Sequence, residues 1–498
     1  MSEDSLKKKT VKGVGWSALD NISGYAVTFV VGIILARLLE PSDYGVIGLI
    51  GIFTAVSNSF INAGFGNALL RKKNATEDDY NTAFIINLGL SFFFYFLLYF
   101  LAPSIALFFN QNILKELIPI SSISLLLSAV AIVQRIQLTK RVDFKTLAII
   151  SFSTNILGGI VGITMAFCGF GVWALVVQGL VSSTTTTVLM CSFNRWVPKF
   201  KFSPKSFHEL FGYGSKIMIS SLIDSLWGQL YQVVVGKFYQ AETLGQYTRA
   251  RGYCAIFSSN LTNIIQRVTF PVLAEMQDDK KRLKEGYRRI IKVSMLLSFT
   301  SMLMMCAVSK PLIIIMIGEK WTQSAYFLQI ICWGSMLYPL HALNLNMLQV
   351  LGRSDLFLGL EIIKKIIAVG PIMLGIFVGI YAMLIGSLFA GFLCFFLNSY
   401  YSGPLLNYSS KQQILDILPS FSIAFTGALC AYFPAFLYEL FAQEANWSIA
   451  SFILLPIQLL IGLIVLYELF EKKQYEEYLE MKNILINAIS KLKFHNND

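Results

Sequence analysis

Ala36-Arg37-Leu38-Leu39-Glu40-Pro41-Ser42-Asp43-Tyr44-Gly45 is echoed 200 residues on by Gly236-Lys237-Phe238-Tyr239-Gln240-Ala241-Glu242-Thr243-Leu244-Gly245. A cation stands at Arg37 and Lys237, and a glycine closes each copy at Gly45 and Gly245. Asp78-Asp79 and Asp278-Asp279 keep the same offset beyond the next apolar stretch. A second echo pairs Gln137-Leu-Thr-Lys-Arg141-Val-Asp143-Phe144 with Gln349-Val-Leu-Gly-Arg353-Ser-Asp355-Leu356. In a chain of long apolar stretches, a tandem duplication is the layout of carriers whose site lies between two halves.

The apolar stretches are the next constraint. Charged residues make up 14% of the chain and hydrophobic residues 55%, whereas a soluble domain carries about 25% charge. Crossing a bilayer takes about 20 mostly apolar residues. About fourteen stretches meet that need, near 14–39, 44–69, 80–108, 117–138, 146–168, 171–193, 211–238, 245–273, 290–317, 322–351, 356–378, 380–402, 415–440 and 447–470. The expectation is an all-α integral membrane protein. Six spans fill an N-terminal lobe over 1–202 and six more a C-terminal lobe over 203–405. Two extra spans follow over 406–470, and an amphipathic tail over 471–498. Six is even, so the repeat is parallel, with an alternating-access cavity between the lobes.

The formal charge of +11 sorts with the spans and gives no reason to expect nucleic acid. Lys7, Lys8, Lys9 and Lys12 precede the first stretch; Arg71, Lys72 and Lys73 follow the second; Lys140, Arg141 and Lys145 follow the fourth. Arg195, Lys199, Lys201 and Lys205 follow the sixth, and a charged, basic segment over 277–292, read as a short helix on the inner surface, follows the eighth. The opposite connections hold little beyond Lys115, Lys310 and Lys320. That asymmetry puts both termini in the cytoplasm. The first stretch follows lysines as a signal peptide would, yet it holds Asp20 and Arg37 and runs straight into another span, so it reads as a retained helix. The seven cysteines and three histidines lack metal or redox spacing. There is no P-loop, zinc motif or nucleophile elbow, so the chain carries no ATPase and reads as no enzyme.

The segment 36–45 resembles the first-loop signature of polysaccharide-export flippases, the Wzx-like branch of the multidrug/oligosaccharidyl-lipid/polysaccharide (MOP) exporter superfamily. The pattern continues in order with Gly169-Phe-Gly-Val-Trp-Ala-Leu-Val-Val-Gln178, Leu244-Gly-Gln-Tyr-Thr-Arg-Ala250, Phe270-Pro-Val-Leu-Ala274 and Gly318-Glu-Lys-Trp321. The chain is most similar to the subgroup with colanic-acid and teichuronic-acid exporters. The resemblance implies two six-helix lobes around a central cavity in a bacterial cytoplasmic membrane. It also implies a lipid-linked oligosaccharide on undecaprenyl pyrophosphate as cargo, for O-antigen, capsule or exopolysaccharide (lipopolysaccharide among them). Glycosyltransferases and a polymerase are the implied neighbours in the pathway, and membrane lipids the surroundings.

Charges inside spans are costly and mark pathways. Lys216 and Asp224 lie about 80° apart around the seventh span, so both can face one cavity. Arg249 and Arg251 lie about 200° apart on the eighth, and Arg249 is preferred because it sits in the family-like segment. On the eleventh, Glu361, Lys364 and Lys365 cluster, with spacing that permits a Glu361–Lys365 pair. Lys216, Arg249, Lys364 and Lys365 are the candidate cationic cavity for a pyrophosphate. Asp20, Asp224 and Glu361 are candidates to carry a coupling proton or sodium ion. Arg135 reads as snorkelling, Arg37 and Lys237 as rim or cap residues, and His341 as a satisfied core histidine. Two rival readings share this frame: a lipid II flippase, and a cation-coupled drug antiporter of the MATE type. The second wants acidic or aromatic walls, which the mixed charges here do not supply.

Overall fold

A computed structural model of the chain describes residues 24, 26–441, 446–472, 475, 477–479 and 482. Asp20, and the tail positions Leu485, Ile489 and Leu492, lie outside the described residues. Among the described residues there is no strand. The helices are α1 (Ala26–Leu38), α2 (Pro41–Ala63), α3 (Phe65–Arg71), α4 (Glu77–Phe109), α5 (Leu114–Lys140), α6 (Phe144–Phe167), α7 (Val172–Asn194), α8 (Pro204–Phe238) and α9 (Ala241–Glu275). They continue with α10 (Lys280–Ile317), α11 (Thr322–Ser335), α12 (Tyr338–Val350), α13 (Ser354–Phe377), α14 (Ile380–Ser402), α15 (Ser410–Phe441) and α16 (Trp447–Lys472).

Nine stretches of described helix are each long and apolar enough to cross a membrane. The helices that miss that mark do so for chemical reasons. Charges interrupt α8 (Lys216, Asp224), α9 (Arg249, Arg251, Arg267) and α13 (Glu361, Lys364, Lys365). These are the helices on which the sequence places the candidate site. The stretch 322–351 is two short helices, broken at Met336-Leu337 ahead of Pro339. The Met336 carbonyl freed there accepts from the Ser298 hydroxyl of α10 at 2.8 Å, as a break at membrane depth requires. The stretch 44–69 is likewise broken, at Gly64, between α2 and α3.

One expectation changes. The basic run 280–292 is no separate surface helix: it forms the first turns of α10, continuous over 38 residues or about 57 Å, well beyond a hydrocarbon core of about 30 Å. Asp279 starts it, accepting from the Lys281 and Arg282 amides at 3.1 Å. The described part of the tail packs on protein. Tyr475 and Tyr478 pack on a core of Leu296, Ile423, Leu466 and Phe470, while Lys292 pairs with Glu477 at 2.8 Å.

The chain divides into two compact units, 1–245 and 246–498. In the first, α4 packs on α5, α6 on α7, and α8 along α2 and α3. Glycines set that last approach: a Cβ on Gly236 would meet Leu49 Cδ2 at 2.4 Å, and one on Gly214 the Gly64 carbonyl oxygen at 2.9 Å. The connection from α7 to α8 is strapped onto the start of α4. The Lys199 amide donates to Asn81 Oδ1 at 2.8 Å, the Ser203 amide to Thr82 Oγ1 at 3.1 Å, and Trp196 Nε1 to Glu77 at 3.1 Å. Lys72 bridges Asp79 at 2.8 Å and Glu209 at 2.9 Å, joining α4 to α8. Burial opposes the Lys72 charge, but the two carboxylates outweigh it and hold the ammonium above its usual pKa.

The two copies of the opening repeat meet within the first unit. A Cβ on Gly45 would lie 1.8 Å from the Ala241 carbonyl oxygen, and one on Gly245 would lie 1.8 Å from the Pro41 carbonyl oxygen. Each helix thus rests a glycine on the first peptide of the other, the close backbone approach that small residues at a helix crossing allow. Two helix N-termini converge there, and Asp43 and Glu242 in their first turns offset the positive dipole ends.

In the second unit α10 packs with α15 and α16, and α13 with α14. The second echo is shifted by two residues from the backbone repeat. Val142 (φ 58°) and Gly352 (φ 73°) make the left-handed step, and Asp143 and Arg353 follow at the N-caps of α6 and α13. Side-chain identity therefore aligns Asp143 with Asp355, while the turn aligns it with Arg353.

Candidate functional site

In the first unit, α8 carries Lys216 and Asp224, both exposed, on a helix of 35 residues. Lys216 stands twelve residues past Pro204, or about 18 Å along the axis. Among the described residues it has no ion-pair or hydrogen-bond partner. Asp224 does make a polar contact.

In the second unit, the two neighbouring arginines of α9 diverge as their spacing requires. Arg249 is half-buried and within electrostatic reach of the Tyr253 hydroxyl one turn on, while Arg251 donates to the Tyr247 hydroxyl one turn back. On α13 the ammonium of Lys364 forms an ion pair with Glu361. Both i,i+3 and i,i+4 pairs are allowed on a helix and differ little in energy. Lys364 faces further polar company, being within electrostatic reach of His341 on α12 and Cys394 on α14. His341 Nδ1 lies 3.3 Å from Asn398 Nδ2, a histidine satisfied by a neighbour. Lys365 is half-buried and has a polar contact of its own. Glu361, Lys364, His341 and Asn398 thus form one polar cluster across α12, α13 and α14.

Two polar features escaped the sequence reading. One is a buried network that ties α10, α12, α14 and α15 together. Asn344 Oδ1 accepts from Ser402 and from Gln413 at 3.2 Å, and Asn344 Nδ2 donates to Gln413 Oε1 at 3.1 Å. Beside it, Asp416 accepts from both arms of Arg288 and from the Tyr408 hydroxyl at 2.7 Å. The other is a cavity of about 540 Å³ beside Arg267 and Asn346. Amides and charges in otherwise apolar stretches are the sequence signal for both.

Comparison with known proteins places this architecture. The family described as "Polysaccharide biosynthesis protein" matches residues 34–326. The "Teichuronic acid biosynthesis protein TuaB" of Bacillus subtilis (strain 168) is 26% identical over 355 residues, 71% of this chain and 73% of that one. The "Lipopolysaccharide biosynthesis protein WzxC" of Escherichia coli (strain K12) is 24% identical over 439 residues, 86% of this chain and 88% of the other. Among solved structures, an inward closed conformation of the lipid II flippase MurJ superposes with a TM-score of 0.69 at 15% identity, covering 93% of this chain and all of that one. An inward-facing multidrug transporter of the MATE family, of the MOP superfamily, gives 0.59 at 16% identity over 78% of this chain and 96% of that one. The two superpositions establish a shared multi-pass α-helical fold.

Proposed function

The chain belongs to the polysaccharide biosynthesis protein family, and from that premise we propose that it moves undecaprenyl-pyrophosphate-linked oligosaccharide repeat units from the inner to the outer leaflet of a bacterial cytoplasmic membrane. The work is transport by alternating access through a hydrated cationic cavity, with both termini cytoplasmic. Glycosyltransferases supply the cargo and a polymerase consumes it.

The observation that carries the reading is Lys216: a cation about 18 Å along a charged helix with no partner among the described residues. An unpaired charge at such depth is expensive. It persists where a mobile anion comes and goes. One cation 4 Å from a phosphate charge contributes about 4 kcal/mol at an effective dielectric near 20. Two or three cations therefore offset much of the cost of moving a pyrophosphate, and many more would prevent release. Arg249, Lys364 and Lys365 are the others. An inside-negative potential adds about 2.3 kcal/mol per exported charge per 100 mV. Asp20, Asp224 and Glu361 are the groups proposed to return the empty carrier with a proton or sodium ion. The fold likeness to MurJ and to the multidrug transporter is silent on cargo, whereas the curated relatives are named for surface polysaccharides.

The test is reconstitution into liposomes, following lipid-linked oligosaccharide between leaflets for wild type, Lys216→Ala and Arg249→Ala, with cationic-dye efflux alongside. The expected result is movement of the lipid-linked sugar that collapses in both variants. Movement that survives both refutes the cationic cavity. Dye efflux with no lipid movement refutes the function.

A further inference from the structure

The cavity of about 540 Å³ in the second unit is walled by α9, α12 and α13, with Gln266, Arg267, Asn346 and Gln349 as its polar lining. Its volume falls in the usual range for ligand sites, about 300–1,000 Å³. Three features show what would fill it. Arg267 is exposed, and among the described residues it has no carboxylate and no hydrogen-bond partner; no acidic residue lines the cavity. Asn346 is only 7% exposed. Its Oδ1 accepts from Gln266 Nε2 at 3.4 Å, while its Nδ2 has no partner. A buried donor left unmet costs about 1–3 kcal/mol, so the amide is set for a group that arrives from outside. Lastly, Pro271 lies inside α9. Having no N–H, it leaves the carbonyl of Arg267, four residues back, without its helical donor.

The cavity therefore offers a fixed positive charge, amide donors and, on Gln349, an amide carbonyl acceptor. An acyl or prenyl chain would leave all of these unmet, and a cation would be repelled. A bare anion would satisfy Arg267 and Asn346 but bring no donor for the Gln349 carbonyl. An anion that also carries hydroxyls satisfies every group.

We propose that this cavity at the proline break of α9 is a subsite for the anionic, hydroxyl-rich head of the lipid-linked cargo. The proposal rests on the transport reading above. It adds Arg267 as a charge contact and Asn346 and Gln349 as hydroxyl contacts. A second source of the same chemistry is a bilayer phospholipid such as phosphatidylglycerol, which joins a phosphate to glycerol hydroxyls.

The experiment is equilibrium binding by the full-length chain in detergent micelles, with no transport step. The probe is a farnesyl-pyrophosphate-linked trisaccharide, and dioctanoyl phosphatidylglycerol and glucose 1-phosphate are the competitors. Arg267→Gln keeps a polar side chain at an exposed position, so it provides a reading if Asn346→Leu proves unstable. Each is expected to weaken binding at least tenfold, while Arg353→Gln, at the exposed Arg353–Asp355 pair, stays within twofold of wild type. Binding unchanged in both cavity variants overturns the proposal. Competition by phosphatidylglycerol as strong as that of the trisaccharide itself, with the same dependence on Arg267, gives the cavity to bilayer lipid and overturns the cargo assignment. Arg267-dependent binding of glucose 1-phosphate by a chain that ignores the lipid-linked probe upholds the subsite chemistry and refutes the flippase reading.

Discussion

Replacing Gly45 by alanine tests the helix crossing at its tightest point. The added methyl would sit 1.8 Å from the Ala241 carbonyl oxygen, and carbon–oxygen contacts settle near 3.3 Å. The two first turns must then part by about 1.5 Å, and a gap of 0.5–1 Å already forfeits a quarter to a half of the dispersion well. Overpacking of this kind costs about 1–3 kcal/mol or more, against a gain of about 1 kcal/mol from replacing glycine inside a helix. The net expectation is a loss of about 1–2 kcal/mol for Gly45→Ala, and the same for Gly245→Ala because the contact is reciprocal. The assay is the apparent Tm of the purified chain by intrinsic fluorescence, with transport in proteoliposomes alongside. Gly51→Ala on α2 and Gly252→Ala on α9 are the controls, since neither site has an atom within 4 Å of the added carbon. Both controls are expected to match wild type or exceed it slightly. Gly45→Ala as benign as Gly51→Ala would refute the close crossing.

Asp79, only 1% exposed, caps α4 with Thr76 and pairs with Lys72. Asp79→Ala is therefore expected to cost about 2–3 kcal/mol, whereas Glu209→Ala, at the half-exposed end of the bridge, costs under about 1 kcal/mol; a reversed order in thermal melts would contradict the bridge geometry. Asn81→Leu with Thr82→Val removes two hydrogen bonds worth about 0.5–1.5 kcal/mol each, so trypsin should cut at Arg195, Lys199 and Lys201 roughly 5- to 150-fold faster. An unchanged cleavage rate would mean the strap is held by something else.

The fold was legible to the extent that it depends on periodicity and charge. Long apolar runs separated by lysines on alternate sides give helices wherever they occur, and the opening repeat points to Gly45 and Gly245 before any contact is known. What a single stretch cannot reveal is where a neighbour makes a break tolerable. The interruption at Met336 depends on a serine 38 residues away on α10, and the run at Lys280 joins α10 because Asp279 caps it. The same holds for the site. Helical spacing allows Glu361 both Lys364 and Lys365, but the neighbours on α12 and α14 that surround Lys364 are not visible in that spacing. Arg267 stayed silent because its significance lies in Asn346, which is remote in sequence and adjacent only after folding.

The position of α8 has a consequence for biosynthesis. The first compact unit ends at Gly245, well past residue 202, because α8 covers α2 and α3 and the first turn of α9 completes the crossing at Gly45. A ribosome adding about 5–20 residues per second needs roughly 2–9 s to make those last 40 or so residues. For that interval the nascent chain holds Leu49, Gly64 and Phe65 without the helix that packs on them. Insertion of α8 is thus the closing step in folding the first unit. A gene split after residue 245 should give a better-folded N-terminal fragment than one split after residue 202.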